Sequence, residues 1–297
     1  MDYKVSEAAG LLAFLLARGM ARGKAKSLLK YGQIFVNGKA VRAFDHALHP
    51  GDAVSVGSST KRVASAAAQL DIVFEDSELI VINKPHGLLS VPAGDEEADT
   101  AYHLVDAYLR AENSKNRAHI VHRLDRDTSG LLLFSKSKEL KELLQADWND
   151  LVSARDYYAV VEGILEEKEG EITSWLSPKA GYQVRSSSFE REESKKAVTQ
   201  YRVLREGGSC SLLEISLKTG RKNQIRVHMR DLKHPVVGDK KYYAKTNPLS
   251  RLALHACRLS FRHPHTGEML TFESKAPRAF SRLLNQGNGN PPPQGGQ

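Results

Sequence analysis

The sequence is poor in cysteine and has no long hydrophobic run. Its two cysteines, Cys210 and Cys257, lie in strand-like stretches, and none of the 11 histidines stands at zinc-ligand spacing from them. We therefore expect two small buried side chains and no metal site. No stretch approaches the roughly 20 consecutive apolar residues of a membrane span. The first residues, MDYK, lack the basic and apolar regions of a secretory signal, so we expect a cytoplasmic protein without a membrane partner.

Positive charge is in excess, and much of it lies near the N-terminus. The formal net charge of the 297 residues is +8, and residues 1–62 hold ten Lys and Arg against four Asp and Glu. A run of charge is often only a solvated face. Its concentration in one small candidate domain nevertheless favours a polyanionic partner such as nucleic acid.

The N-terminal region has the pattern of a small α/β domain. Leucines at 11, 12, 15 and 16 have helical spacing, and a second helix is predicted over 24–30. The strand Ile34–Val36 is followed by Asn37-Gly38, the strongest short signal for a β-hairpin. We expect this domain over 1–57 and a linker of small and polar residues over 58–69.

The rest of the chain, over 70–284, has the pattern of an α+β domain. Strands are predicted at 72–74, 79–82 and 213–217, and helices at 139–149 and 224–232. The low-complexity tail, 285–297, should be disordered.

A dense charged loop, HRLDRDTSG (122–130), directly precedes the apolar run LLLF. Burying such charges is costly unless they are paired, so the loop is either a salt-bridged turn or a functional site. A second segment, KTGRKNQIRVHMR (218–230), turns at a glycine and opens a helix on which Arg226, Arg230 and Lys233 should share one face. That face is either a generic basic surface, a partner for a carboxylate of the first loop, or part of a phosphate site with Arg221 and Lys222.

These two segments, with three others, resemble the RluA-type RNA pseudouridine synthases over essentially all of residues 70–284. Five motifs occur in the family's order: INKPHGLLSVP (82–92), HRLDRDTSGLLLF (122–134), RDYYAVVEG (155–163), TGRKNQIRVHM with HPVVGDKKY (219–242), and LALHACRLSFRHPHTGE (252–268). Residues 11–57, with GQIFVNGKAV, resemble the S4 RNA-binding module that often precedes this catalytic domain. The resemblance implies a central mixed, mainly antiparallel β-sheet.

The resemblance also implies roles for individual residues. Asp125 matches the catalytic aspartate, Tyr157 the active-site tyrosine, and Arg226 the basic residue that pairs with the aspartate. Tyr158 is the alternative if the alignment shifts by one. Asn223 departs from the family, because it stands where a histidine is common. The RNA contacts expected from the motifs and the basic regions are Arg123, Arg221, Lys222, Lys84, Lys24, Lys26, Lys30 and Lys39.

The implied reaction breaks the N1–C1′ bond of a uridine and rejoins the base through C5. The chain has no GxGxxG or P-loop motif, in agreement with a reaction that needs no cofactor. The carboxylate could act as a nucleophile at C1′ or remove a proton from the sugar, and the sequence leaves both open. A base inside a helix is unreachable, so the uridine should be flipped out of the RNA.

Ribosomal RNA is the first expected partner and transfer RNA the second, and the protein should act as a monomer. Two other functions remain open at this point. One is a non-catalytic RNA-binding or ribosome-assembly factor that kept the fold. The other is a glycosidase that releases uracil by hydrolysis, because carboxylates also serve that chemistry.

Overall fold

The computed structural model describes residues 2–30, 33–56, 70–92, 100–178 and 183–285. The chain groups into two compact units, one formed by Met1–Asp71 and Val91–Ala118 and the other by Ile72–Ser90 and His119–Gln297. The second unit thus leaves out Val91–Ala118, which falls inside the predicted catalytic domain. The predicted linker and the tail beyond Asn285 lie outside the described residues, and the domain bounds stay predictions.

The described part of the first unit contains short strands, two short helices and one longer helix. Its strands are β1 (Asp2–Lys4), β2 (Ala9–Gly10), β3 (Ile34–Val36), β4 (Lys39–Val41), β5 (Ala47–Leu48) and β6 (Ala53–Val56). Its helices are α1 (Leu11–Ala17), α2 (Arg22–Lys30) and α3 (Ala101–Glu112). One sheet has the order β1-β6-β3-β4, and β2 pairs with β5. The two predicted N-terminal helices are therefore confirmed, while α3 was not predicted.

The hairpin between β3 and β4 forms where the sequence predicts it. Asn37 and Gly38 have φ of 51° and 78°, which is the left-handed geometry of a two-residue hairpin turn. The Asn37 amide donates to Asp52 over 2.7 Å, and its oxygen accepts from the Ala53 backbone over 2.9 Å. These bonds join the hairpin to the start of β6. The small core of this unit includes Leu11, Leu15 and Leu29, members of α1 and α2.

The second unit is built on one eleven-stranded sheet. Its strands are β7 (Ile72–Glu75), β8 (Leu79–Lys84), β9 (His119–Ile120), β10 (Ser129–Ser135), β11 (Val152–Glu162), β12 (Glu169–Pro178), β13 (Val184–Ser187), β14 (Lys195–Gly207), β15 (Cys210–Leu217), β16 (Leu254–Arg262) and β17 (Met269–Glu273). Their order is β13-β12-β14-β15-β11-β16-β10-β8-β7, with β17 beside β16 and β9 beside β10. β10 and β16 pair in parallel through Ser129 and Gly130, and the other named pairs are antiparallel. The predicted α+β class with a mixed, mainly antiparallel sheet is confirmed.

Four helices accompany this sheet: α4 (Lys138–Ala146), α5 (Trp148–Leu151), α6 (Gln224–Asp231) and α7 (Arg278–Asn285). The single helix predicted over 139–149 is two helices, because Asp147 leaves the helical conformation at φ −107° and ψ 24°. Asn285, predicted as the first tail residue, is the last residue of α7.

Among the described residues, the two largest apolar clusters of this sheet include residues of α6 and α7 in one and residues of α4 in the other. Both cysteines are free and buried, as expected. Within the described residues, no helix has the length and apolar character that crossing a membrane requires.

Candidate active site

Asp125 lies in the loop between β9 and β10. Hydrogen bonds to the backbone of this loop hold it in place. The Ser90 hydroxyl donates to the Leu124 carbonyl over 2.8 Å and accepts from the Leu124 N–H over 3.0 Å. The Thr128 N–H donates to the Asp125 carbonyl over 3.2 Å. Ser90 and Leu124 are buried, whereas the Asp125 side chain is 26% exposed. The loop is therefore held rigidly with its carboxylate facing solvent space.

Lys84, at the end of β8, also supports this loop. Its ammonium group is fully buried and donates to three backbone carbonyls, those of Pro85 (2.9 Å), Leu88 (2.7 Å) and Arg126 (3.0 Å). Burial lowers the pKa of Lys84 to about 7, against the opposing charges of Asp127 and Asp125. A buried ammonium with all its donors in use cannot reach an RNA phosphate. The predicted RNA contact by Lys84 is therefore wrong. Lys84 instead joins the loop after β8 to the Asp125 loop.

Gly130 explains why the loop ends where it does. Its φ is +112°, and a Cβ at this position would lie 2.1 Å from the Ala256 carbonyl oxygen of β16. Only glycine permits that approach. It lets the start of β10 pair in parallel with β16, which sets the loop beside that strand of the sheet.

Arg226, on α6, joins two carboxylates. Its Nε and Nη2 donate to Asp239 over 2.7 and 2.8 Å, a bidentate pair, and its Nη1 donates to Asp125 Oδ2 over 3.3 Å. Burial lowers the pKa of Arg226, but the hydrogen bonds and charges of Asp239 and Asp125 outweigh it, and the pKa lies above the usual value. A permanent positive charge thus lies beside the Asp125 carboxylate.

This geometry contains the predicted pair and corrects the predicted basic helix face. Arg226 is buried and turned toward Asp239, whereas Arg230 bonds its neighbour Asp231, so the two arginines do not present one exposed surface. The motifs did not single out Asp239. It lies within HPVVGDKKY, 13 residues after Arg226, but the family resemblance assigned it no role.

Asn223, the residue that departs from the family pattern, precedes α6 in a left-handed conformation with φ 56°. Asparagine tolerates that conformation better than most residues. Its side-chain oxygen accepts from Arg226 Nη1 over 3.3 Å, and its amide donates to the Tyr242 hydroxyl over 2.9 Å. The same hydroxyl accepts from the Val184 N–H over 3.1 Å. Asn223 therefore connects Arg226 to the edge strand β13.

Tyr157, on β11, lies across from Asp125. Burial raises the pKa of its hydroxyl to about 12, against the opposing influence of Arg155. The group is therefore protonated at neutral pH, so it can donate a hydrogen bond or stack through its ring but is poorly suited to accept a proton. Tyr158, the alternative tyrosine, lies near Glu214 and Arg258 and does not line the cavity next to Asp125.

A cavity of about 70 Å³ brings the predicted residues together. We call it the Tyr157 cavity. Its lining residues are Arg123, Leu124, Asp125, Thr128, Tyr157, Leu217, Arg221, Asn223, Gln224, Ile225, Arg226 and Leu254. One carboxylate, its arginine partner, an aromatic ring and aliphatic walls form a site that can exclude water from a reacting base. Among the described residues, no group of three or more His, Cys, Asp or Glu side chains is placed to hold a metal ion.

The other predicted RNA contacts lie in different places. Arg123 and Arg221 are exposed and line the Tyr157 cavity, and Lys222 is exposed next to Arg221. In the first unit, Lys24, Lys26 and Lys39 are exposed, and the side chain of Lys30 lies outside the described residues. These contacts stay predictions, as do the catalytic roles of Asp125, Tyr157 and Arg226.

Comparison with known proteins identifies the family. The sequence profile of RNA pseudouridylate synthase matches residues 78–231, about half of the chain. The chain is also 36% identical over 271 residues to a Bacillus subtilis protein called uncharacterized RNA pseudouridine synthase YlyB, covering 89% of this chain and 88% of that protein. The chain belongs to the RNA pseudouridylate synthase family. It is therefore an RNA pseudouridine synthase, an isomerase.

Two further comparisons agree with this family. Ribosomal large subunit pseudouridine synthase D of Neisseria meningitidis serogroup B is 33% identical over 296 residues, covering 94% of this chain and 79% of that protein. This relative supports the RluA type of pseudouridine synthase. The solved structure of human RNA pseudouridylate synthase domain containing 4 has a TM-score of 0.61 at 24% identity, covering 76% of this chain and 97% of that one. At this identity it shows the shared fold alone.

Proposed function

We propose that this pseudouridine synthase isomerises specific uridines of ribosomal RNA, with transfer RNA as the second candidate substrate. The observation that carries the proposal is the Asp125–Arg226 pair at the wall of the Tyr157 cavity. A carboxylate beside a permanent cation, facing an aromatic ring, matches what the isomerisation of a flipped uracil requires. The name of the Neisseria relative, a large-subunit synthase, supports ribosomal RNA as the first choice.

In this proposal Asp125 acts on the sugar of the flipped uridine. Arg226 occupies its Oδ2, and Oδ1 has no hydrogen-bond partner among the described residues. Oδ1 can therefore attack C1′ or take a proton from the ribose, and both routes stay open. Either route breaks the N1–C1′ bond and forms a C5–C1′ bond, after which the proton at C5 leaves and N1 gains one. The rearrangement involves no net oxidation or reduction, so the proposed reaction needs no redox cofactor.

Tyr157 serves as a ring that holds the detached base. Its raised pKa, about 12, keeps the hydroxyl protonated, so it can donate to the base but is an unsuitable acceptor for the C5 proton. Leu217, Ile225 and Leu254 line the same cavity and limit the access of water. These walls would retain the uracil until it is rejoined to the sugar.

The RNA contacts of the proposal come from both units. Arg123 and Arg221, at the Tyr157 cavity, would hold the strand next to the flipped uridine, with Lys222 beside them. The first unit would act as an S4-like RNA-binding module through Lys24, Lys26, Lys30 and Lys39, adding affinity by a second attachment. We propose a cytoplasmic monomer.

The test is a map of pseudouridines in total RNA from cells with and without this protein. Sites that disappear, and that wild type restores but Asp125→Asn does not, would establish the activity and name the substrate together. Restoration by Asp125→Asn would refute the role of Asp125. Sites that stay present in cells lacking both this protein and its paralogues would refute the proposed RNA substrates. Release of free uracil from the RNA would point to the hydrolytic alternative.

A further inference from the structure

A second, larger cavity is also lined by Asp125 and Arg226. Its volume is about 660 Å³, within the roughly 300–1,000 Å³ of small-molecule sites. It shares Asp125, Asn223 and Arg226 with the Tyr157 cavity, so these three residues form a wall common to both. We call it the Arg251 cavity. None of the sequence motifs gave it a role.

The Arg251 cavity has the charge of an anion site. Five basic residues line it, namely Arg126, Arg226, Lys240, Lys241 and Arg251. Three acidic residues oppose them, and two of these, Asp125 and Asp239, are already paired with Arg226. Asp127 is the third. The five basic residues of the lining outnumber the three acidic ones, so the lining has a net positive charge, which favours an anionic ligand.

Arg251 is held in place with one edge unused. Its Nη2 donates to the Ser129 hydroxyl over 2.7 Å, and its Nε donates to the Leu252 carbonyl over 3.1 Å. Its Nη1 has no hydrogen-bond partner among the described residues, and Arg251 forms no ion pair there. An arginine that is fixed before binding loses little side-chain entropy when it meets a phosphate. The group is therefore prepared to bind an anion.

Asn247 adds a second unused group to the same cavity. Its side-chain oxygen is buried and has no hydrogen-bond partner among the described residues. A buried acceptor without a donor is costly, and a ligand that brings an N–H or O–H group would remove that cost. Gly238 leaves the room for it, because a Cβ there would lie 2.8 Å from this oxygen.

We propose that the Arg251 cavity binds the nucleotide unit next to the target uridine, with its phosphate on Arg251 and a ribose or base donor on Asn247. A strand that places its uridine in the Tyr157 cavity must carry its next phosphate across the shared wall of Asp125, Asn223 and Arg226. The inference rests on the proposed function, since it assumes that uridine occupies the Tyr157 cavity. It adds the place where the neighbouring phosphodiester is held.

The hydrogen bond between Arg251 and Ser129 connects this subsite to the loop that carries Asp125. Ser129 follows the Asp125 loop, and its hydroxyl also lies 2.9 Å from His255 Nδ1. A phosphate bound to Arg251 is therefore connected through Ser129 to the end of that loop. The subsite should support correct placement of Asp125 as well as affinity.

The test uses defined nucleotides, so it does not depend on knowing the RNA. Uridine, uridine 5′-monophosphate, uridine 3′-monophosphate and uridine 3′,5′-bisphosphate are titrated into the isotope-labelled full chain and followed by NMR. The variants are Arg251→Gln and Asn247→Asp, the second nearly isosteric and carrying a charge that repels phosphate. Arg262→Gln is the matched control, because Arg262 is exposed and lines neither cavity. Melting temperatures establish that each variant is folded.

We expect at least one monophosphate to bind wild type about tenfold more tightly than uridine, the gain of one charge-assisted hydrogen bond. Both variants should lose most of that gain, and Arg262→Gln should keep it. No gain in wild type, or an equal gain in all the proteins, would overturn the subsite. Nucleotide binding through Arg251 without any mapped pseudouridine would leave the subsite standing and reject the proposed RNA substrates, so the two failures are distinguishable.

Discussion

At the scale of single residues, the site is arranged around one cation between two acids. Arg226 is fixed by Asp239 on one side, which leaves Nη1 directed at Asp125. The Asp239 side chain is 1% exposed, and that of Asp125 is 26% exposed. The buried acid therefore orients the arginine, and the more accessible acid is available to the substrate.

The first prediction concerns Asp125. Asp125→Asn keeps the shape of the side chain but removes the charge that the proposed mechanism uses at the sugar. We expect turnover of the mapped RNA to fall by at least about a hundredfold, with RNA affinity changed by less than about threefold. Single-turnover kinetics and a binding titration measure the two effects. Asp231→Asn, an aspartate next to Arg230 that lines neither cavity, is the control that should keep full activity. Unchanged turnover in Asp125→Asn would remove this residue from the mechanism.

The second prediction concerns Asp239, a positioning residue. Asp239→Asn replaces a bidentate ion pair by a single hydrogen bond from Arg226 to an uncharged amide oxygen, so the buried Arg226 has a weaker partner. We expect a loss of roughly 3–5 kcal/mol in the free energy of unfolding. We also expect kcat to fall about tenfold or more while KM changes little, because Arg226 would no longer be aligned with Asp125. A rise in KM alone, with kcat intact, would contradict this role.

The third prediction follows from the pKa of Lys84. Its ordinary value is 10.5, and burial lowers it to about 7 in the folded protein. Between these values the unfolded chain binds the extra proton, so the stability linked to Lys84 is largest above about pH 10 and is lost as the pH falls to about 7. The unfolding free energy of wild type minus that of Lys84→Met should therefore rise by roughly 2–3 kcal/mol from pH 7 to pH 9.

Urea unfolding at several pH values measures this difference. Lys275→Met is the control, because Lys275 is exposed and its substitution should give a difference that does not change with pH. A flat difference for Lys84→Met would show that Lys84 keeps an ordinary pKa in the folded protein.

The site residues differ in how well the sequence predicts their roles. Asp125, Arg226 and Tyr157 could be selected because each matches a position in a motif of the resembled family, and the structure brings all three to one cavity. Lys84 was predicted to contact RNA because it is the lysine of the INKPHGLLSVP motif. Nothing local reveals that carbonyls from separate loops surround it. Asp239 lies after the end of the helix that carries Arg226, so no helical or strand periodicity in the sequence predicts that the two residues pair.

At the scale of elements, the parallel pair of β10 and β16 decides where the Asp125 loop lies. That pair depends on Gly130, where a side chain would meet the Ala256 carbonyl. Local patterns predicted many of the elements correctly, including the Asn37-Gly38 hairpin and α6. They failed where one residue ends a helix, as Asp147 does between α4 and α5. They could not give the sheet order, because pairing between distant strands leaves no periodic signal.

The fourth prediction tests this element. In Gly130→Ala the new methyl group would overlap the Ala256 carbonyl, and the φ of +112° would be strained as well. We expect a loss of roughly 3 kcal/mol or more in unfolding free energy, with turnover reduced by more than the fraction unfolded explains. Gly267→Ala is the matched control: its φ is +72° but nothing lies near its Cβ position, so strain alone should cost about 1 kcal/mol. Equal losses of stability in the two variants would show that the close approach to Ala256 does not matter.

At the scale of the whole molecule, we expect the exposed basic residues of the first unit to affect RNA binding and the second unit to carry out the reaction. The second unit contains the residues proposed to react, whereas residues 1–62 hold ten of the basic side chains against four acids. Exposed cations far from the reacting atoms can raise the affinity for a polyanion without changing the barrier of the chemical step. The first unit should therefore affect how much RNA is bound and have little effect on how fast bound RNA reacts.

The fifth prediction separates these effects. Three exposed lysines of the first unit that are predicted to contact RNA are replaced together by glutamine: Lys24, Lys26 and Lys39. Each phosphate that a lysine neutralises contributes about 0.9 to the dependence of log K on log salt concentration, so removing all three should lower that slope by up to about 3. KM should rise severalfold while kcat stays within about twofold of wild type. A matched triple variant in the second unit replaces Lys138, Lys141 and Lys275 by glutamine. It removes the same charge, so equal reductions of RNA affinity in the two triples would mean that net charge alone attracts the RNA. A larger reduction in the first triple would mean that the N-terminal lysines bind it directly.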